Sequence, residues 1–307
     1  MAELISTSTP DLKVAPGPER VYTRSEIRLL RLRRAVLRPE PWLGFLGLAT
    51  FFGGWHLAAV LDVPGVNKLE SPMFVLREFL LPPRGTFDYN PQLESKFGYG
   101  VWGGAWYTDI MVSVWRICRA FLLSLLGIPL GLLMGWRRRV REFVFPTLEL
   151  LRPVPPVAWV PLAIVMLPWQ EAPVIFICSI ASFFVVTLNT ALGVDSIDPV
   201  YFRAARCLGF SEAQILRQVV IPGAMPFIFT GMILGLGVAW FSLVGGEIIA
   251  ATWGLGYRIW ESYTSTSIPP LLIAMFTSGL IGLAMSLMLR GLQRRVLVWK
   301  RRAGATL

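Results

Sequence analysis

Apolar residues in this chain come in runs of about twenty, and run length decides what such a chain can fold into. An α-helix of that length rises about 30 Å, the thickness of a bilayer's hydrocarbon core. The runs are 42–61 (WLGFLGLATFFGGWHLAAVL), 110–136, a third from FVFPTLELL through RPVPPVAWVPLAIVML (152–167), 172–194, 224–244 and 269–289. Only 16% of the 307 residues are charged and 54% are hydrophobic, with a mean hydropathy of +0.58. Soluble domains carry roughly a quarter charged residues. The pattern predicts an all-α integral membrane protein with six transmembrane helices, so that both termini lie on one side.

Charge assigns the sides. The chain has 29 Lys and Arg against 19 Asp and Glu, a net charge of +10. The side holding the N-terminal tail, the WRRRVR loop with Arg152, the 195–223 segment and the C-terminus has 22 basic and 10 acidic residues. The other side, with residues 62–109, 168–171 and 245–268, has 5 basic and 9 acidic residues. Positively charged loops stay inside, so the first side is expected to be cytoplasmic. The expected organisation is a disordered cytoplasmic tail over 1–25 and an amphipathic interfacial helix over 26–41, where Ile27, Leu30, Val36 and Leu37 alternate with arginines. A transmembrane domain follows over 42–295, with a periplasmic segment at 62–109 and a cytoplasmic loop at 195–223. A basic cytoplasmic tail over 296–307 completes it. Residues 1–20 contain no apolar core of the kind a signal peptide carries.

The cytoplasmic segment YFRAARCLGFSEAQILRQVVIPGAMPF (201–227) is polar between two apolar runs. Asp198-Pro199 reads as an N-cap with proline at the first helical position. Gly209 can take the left-handed cap that closes the first helix. Ser211 and Gln214 have the spacing of a capping box for a second helix, and Pro222 is expected to end it. Two short helices at a glycine corner resemble a DNA-binding helix-turn-helix. Pinned between two spans, with only Arg203, Arg206 and Arg217 as cations, the unit suits a protein cleft better than nucleic acid.

Catalytic and metal chemistry have little to build on. Cys118, Cys178, Cys207 and His56 are far apart and follow no ligand spacing. There is no GxxxxGK[ST] phosphate loop and no grouping of nucleophile and base, so catalytic and metal residues are expected to be none. Any ATP hydrolysis would belong to a separate subunit. For a passage through the membrane, Ser113, Arg116, Ser124 and the series Gly127, Gly131, Gly135 fall near one face of the second run. Such glycines serve close helix packing or line a passage. Arg116 and Arg119 lie about two turns from the outer end, where an arginine can snorkel or offer positive potential to an anion. Thr187, Asn189 and Trp240 are further polar candidates, and Glu247 suits a hydrogen-bonded structural role.

The residues AARCLG (204–209), followed by VVIP (219–222), resemble the cytoplasmic coupling loop of ABC-importer permeases. LRPVPPVAWVPLAIV, LNTALGVDSIDP, FTGMILGLGVAW and GEIIAATWGLGYRIWES are similar to the branch importing nitrate, bicarbonate, taurine and alkyl sulfonates. The resemblance covers about residues 69–295. It implies a type I importer permease fold in the bacterial inner membrane, with Arg203, Ala204, Ala205, Leu208, Gly209, Phe210 and Pro222 seated on an ATPase subunit. Arg203 stands where the family pattern has an acid. The resemblance further implies ATP and Mg in that ATPase, a periplasmic or lipoprotein substrate-binding protein, a second permease copy as homodimer, surrounding lipid, and no nucleic acid partner. The longer 82–105 segment is more like the nitrate and bicarbonate members. A secondary transporter or channel is the competing expectation, with a membrane enzyme behind it.

Overall fold

The computed structural model describes residues 39–61, 70–80, 99–101 and 104–297, with side chains from Trp42 onward. The tail expected at 1–25, the interfacial helix except residues 39–41, most of 82–105 and most of the 296–307 tail lie outside the described residues. The chain divides into two units, 1–64 and 65–307.

In the first unit, helix α1 (Pro39–Val60) matches the first apolar run. Trp42, Leu46, Phe51 and Leu57 are all exposed on it, as on a helix solvated by lipid.

The second unit is also helical, with no strand among the described residues. Helix α2 (Pro72–Leu80) gives the 62–109 segment structure of its own, and Phe79 meets Trp106 edge-on at 5.1 Å. Helices α3 (Gly104–Ser124) and α4 (Gly127–Trp136) form one 33-residue span. The two join at Leu125-Leu126, where Pro129 has no N–H for the carbonyl of Leu125. Ile128 donates to that carbonyl instead, at 2.9 Å.

The third span differs from expectation. Helix α5 (Arg138–Leu151) is followed by a 3-10 turn (Pro156–Trp159) and helix α6 (Val160–Met166), and the two halves meet at 90°. Pro153, Pro155 and Pro156 remove three backbone donors, and Pro155, held before Pro156, leaves the helical region with ψ of 133°, so the run bends into an elbow. Five helices are long and apolar enough to cross a membrane, or six when this bent pair counts as one.

Helix α7 (Ala172–Asp195) is the fourth span and lies at the centre of the bundle. Gly127, Gly131 and Gly135 of α4 pack onto it. A Cβ at Gly127 would sit 2.5 Å from Thr187 Oγ1, and one at Gly135 would sit 2.5 Å from Val194 Cβ. These glycines therefore serve helix approach.

Helix α8 (Pro199–Cys207) and helix α9 (Glu212–Ile215) make the corner between the fourth and fifth spans. Pro222 does not end the second of them. A π-helical turn (Leu216–Val220), in which Ile221 donates to the carbonyl of Leu216, carries the chain directly into helix α10 (Ile221–Ala250). Proline fits there because the wider turn has already displaced the α-type register. Helix α11 (Leu255–Thr264) and helix α12 (Ile268–Val296) complete the unit. Ile117, Val174, Cys178, Leu236, Leu243, Leu255 and Ala274 form the main apolar core between α3, α7, α10, α11 and α12.

Candidate functional site

The corner between α8 and α9 is built by its caps. The Asp198 carboxylate accepts from the backbone N–H of Val200 at 2.8 Å. Ser211 N–H donates to Gln214 Oε1 at 2.7 Å, and Gln214 N–H returns to Ser211 Oγ at 3.4 Å, a reciprocal capping box. Gly209 has φ of +76°, which only glycine adopts without strain. Beneath the corner, Ala205, Ile215, Val220, Val194 and Ala224 form a small core of their own, with Trp136 stacked near Phe202 at 5.9 Å.

The expected docking residues divide accordingly. Arg203, Ala204, Leu208 and Gly209 are exposed, and Leu208 has 74% of its surface open. Ala205 is buried, while Phe210 and Pro222 are partly buried and hold the corner onto the spans. Leu208 is the open apolar side chain at the tip of this capped, well-packed knob.

At the opposite end of the bundle lies a buried ionic cluster. Arg116 is 1% exposed. Its Nη1 donates to Glu247 Oε1 at 2.9 Å and to the Trp253 carbonyl at 2.6 Å. Its Nη2 donates to Glu171 Oε1 at 2.7 Å, and its Nε to Glu171 Oε2. Ser113 Oγ donates to Glu247 at 2.8 Å and accepts from Leu255 N–H at 2.9 Å. Glu247 also accepts from Gly256 N–H at 2.8 Å. Asp109, fully buried, accepts from Gly254 N–H at 3.0 Å and from Arg258 Nε at 2.9 Å, while Arg258 reaches on to Glu261 and stacks over Tyr99. Together these residues fasten the segment 253–256 to α3 and α10, and Gly254 takes φ of +122° there. Outside the spans, hydrogen bonds from Arg116 hold the Glu171 carboxyl below the usual carboxylate range.

This geometry corrects the expectation for Arg116. The side chain neither snorkels to water nor stands as a free cation, because two carboxylates and a carbonyl compensate it in place. Arg119 is exposed, with its guanidinium 4.4 Å over the Trp115 ring. Glu247 does have the hydrogen-bonded setting expected of it. Asp109, Glu171, Arg258 and Glu261 were not singled out in sequence, and their only signal was an acid or base beside an outer span end.

The remaining candidates are dispersed. Ser124 accepts from Ser182 at 3.0 Å between α3 and α7. Thr187 is buried beside Gly127. Trp240 packs into the core near Gly282. Asn189 donates to the Val185 carbonyl and borders a cavity of about 500 Å³, enclosed by Arg152 and Trp159 of the elbow, Phe184 and Leu188 of α7, and Val238 of α10. Its size falls in the range of small-molecule sites, and its wall is apolar with few polar groups.

Comparison with known proteins gives a family. Residues 127–298 match the family described as binding-protein-dependent transport system inner membrane component. The taurine transport system permease protein of Escherichia coli is 35% identical over 82% of this chain and 87% of its own length. The bicarbonate transport system permease protein of Synechococcus elongatus is 30% identical over 82% of this chain and 89% of its own. The crystal structure of an amino acid ABC transporter with histidines superposes with a TM-score of 0.50 at 20% identity, over 62% of this chain and 94% of that one, so the fold is that of a type I ABC importer permease. The elbow, the knob and the bundle that carries them are thus those of a membrane permease, and the chain belongs to the binding-protein-dependent transport system inner membrane component family.

Proposed function

We propose that this chain is the permease subunit of an ATP-driven importer for a small anion, with nitrate the leading candidate ahead of bicarbonate, taurine and alkyl sulfonates. Family membership implies an ATPase subunit and a substrate-binding protein as partners, and the related permeases are typically non-catalytic subunits. In this reading the exposed face of Arg203, Ala204, Leu208 and Gly209 enters a cleft of the ATPase, which binds ATP and Mg. Two copies of the permease enclose the path in the bacterial inner membrane, with both termini cytoplasmic. The cavity beside Asn189 faces that path, and the Arg116 cluster is a framework at its outer end.

The single observation that carries this reading is the knob itself: two capped helices, a buried core of their own, and Leu208 left open at the tip. The test is a disulfide or maleimide crosslink from Leu208→Cys, in a Cys207→Ser background, to the cognate ATPase subunit. The expected result is a crosslink whose yield changes when ATP is added, together with uptake that ceases when the ATPase is deleted. Uptake persisting without the ATPase would instead establish a secondary transporter. The substrate is tested separately, by binding nitrate, bicarbonate, taurine and ethanesulfonate to the cognate binding protein.

A further inference from the structure

A second cavity, of about 360 Å³, lies between α10 and α12 at the end of the last span, lined by Thr230, Ile233, Leu234, Arg290, Gln293 and Arg294. Arg290 and Arg294 are one helical turn apart on α12 and are both exposed. Neither makes an ion pair among the described residues, whereas Arg138, Arg141, Arg206 and Arg258 do. Thr230 has already given its hydroxyl proton to the Pro226 carbonyl at 2.9 Å. The donors converging on the cavity are therefore two guanidiniums and one amide, with no carboxylate among the described residues that line it.

Depth in the membrane follows from length. Helix α12 has 29 residues and spans about 44 Å, against about 30 Å of hydrocarbon core. Its apolar part ends at Leu289, so Arg290 falls where the acyl region gives way to the headgroups, and Arg294 about 6 Å beyond it. An apolar track leads from the cavity back toward the bilayer centre, where Leu280, Leu283 and Leu287 are exposed on one face of α12. A cationic notch at headgroup level, continued by an apolar track at acyl level, has the two-part shape of a phospholipid.

We propose that this notch binds an anionic phospholipid, with its phosphate between Arg290 and Arg294, the Gln293 amide donating to it, and its acyl chains along the Leu280, Leu283 and Leu287 track. Bidentate guanidinium geometry suits a phosphodiester, and basic pockets between spans at a membrane surface recognise such headgroups. The site is separate from the knob and does not depend on which anion the protein carries.

The purified full chain, analysed by native mass spectrometry with phosphatidylglycerol or phosphatidylcholine of matched acyl chains, tests the assignment. The expected result is a preference for phosphatidylglycerol that falls about 25-fold in R290Q/R294Q, at about fivefold per arginine. R139Q, which removes an exposed arginine elsewhere, should keep the preference, and R290K/R294K should keep part of it. T230F fills the notch without changing charge and is expected to lower phosphatidylglycerol occupancy, which serves if the double variant does not fold. Preference that survives both R290Q/R294Q and T230F overturns the proposal. Displacement of phosphatidylglycerol by millimolar inorganic phosphate overturns the lipid assignment in favour of a soluble anion.

Discussion

Glu247 and Arg116 are both cut off from water; Arg116 is the ion-pair partner of Glu247 among the described residues, whereas Arg116 also holds Glu171. Breaking such a pair strands the survivor, at a cost of about 3–5 kcal/mol. Arg116→Gln, which strands Glu247, is therefore expected to lower the melting temperature of the purified chain sharply, and Glu247→Gln to lower it less, because Glu171 still pairs with Arg116. R116Q/E247Q should lose much less than the two single losses combined, because neither buried charge is then left alone. Gly254 gives a second handle: a Cβ there would meet Glu247 Oε1 at 2.5 Å, on a backbone with φ of +122°. Gly254→Ala should reduce folded yield, while Gly279→Ala, which meets nothing within 4 Å, should leave it unchanged. The hydrogen bonds from Arg116 to Glu171 also set a pH dependence. A depressed carboxyl pKa contributes stability above its unfolded value and loses it as pH falls through the native one. From near 4.5 downward the wild-type melting temperature should fall more steeply than that of Glu171→Gln, in a pH series of thermal melts. The sequence displayed Arg116 and Glu247 as isolated charges in apolar runs, and it suggested a hydrogen-bonded role for the acid. It did not show that they meet, because they are 131 positions apart and no periodicity links separate helices.

Local signals were legible among the short elements. Asp198-Pro199, Gly209 and the Ser211–Gln214 pair each specify a cap through side-chain or φ chemistry that acts within four residues, and all three take those conformations. Two features escaped such reasoning. Pro222 reads as a helix stop, yet the π turn before it relieves the missing donor and the helix runs on. The prolines at 153–156 fall inside a run read as one span, the third, yet its halves meet at 90°. In both places the outcome depends on what neighbouring helices supply, which a proline alone does not encode. Asp198→Ala should weaken the first helix of the corner by about 1 kcal/mol. The expected readout is a several-fold loss of ATPase copurification, with the melting temperature of the isolated chain little changed.

For the molecule entire, run length carried the reading furthest: the helical class and the spans follow from the cost of unpaired backbone in lipid. Sidedness remains open to direct measurement. In a Cys207→Ser background, Thr264→Cys in cells with a permeabilised outer membrane should label with an impermeant maleimide. Glu212→Cys should label only after the inner membrane is opened. Between those two positions lies an unbroken 39-residue helical stretch, Glu212–Ala250, about 58 Å long. It leaves the corner through the π turn and delivers Glu247 to the far cluster. Such an axle cannot be twisted at one end without twisting the other, so the angular phase of the knob and that of the outer clasp are a single variable. The extra residue in the wide turn sets that phase. Deleting Val219 should rotate everything beyond it by about 100°, turning Glu247 away from Arg116 although every side chain of the clasp is intact.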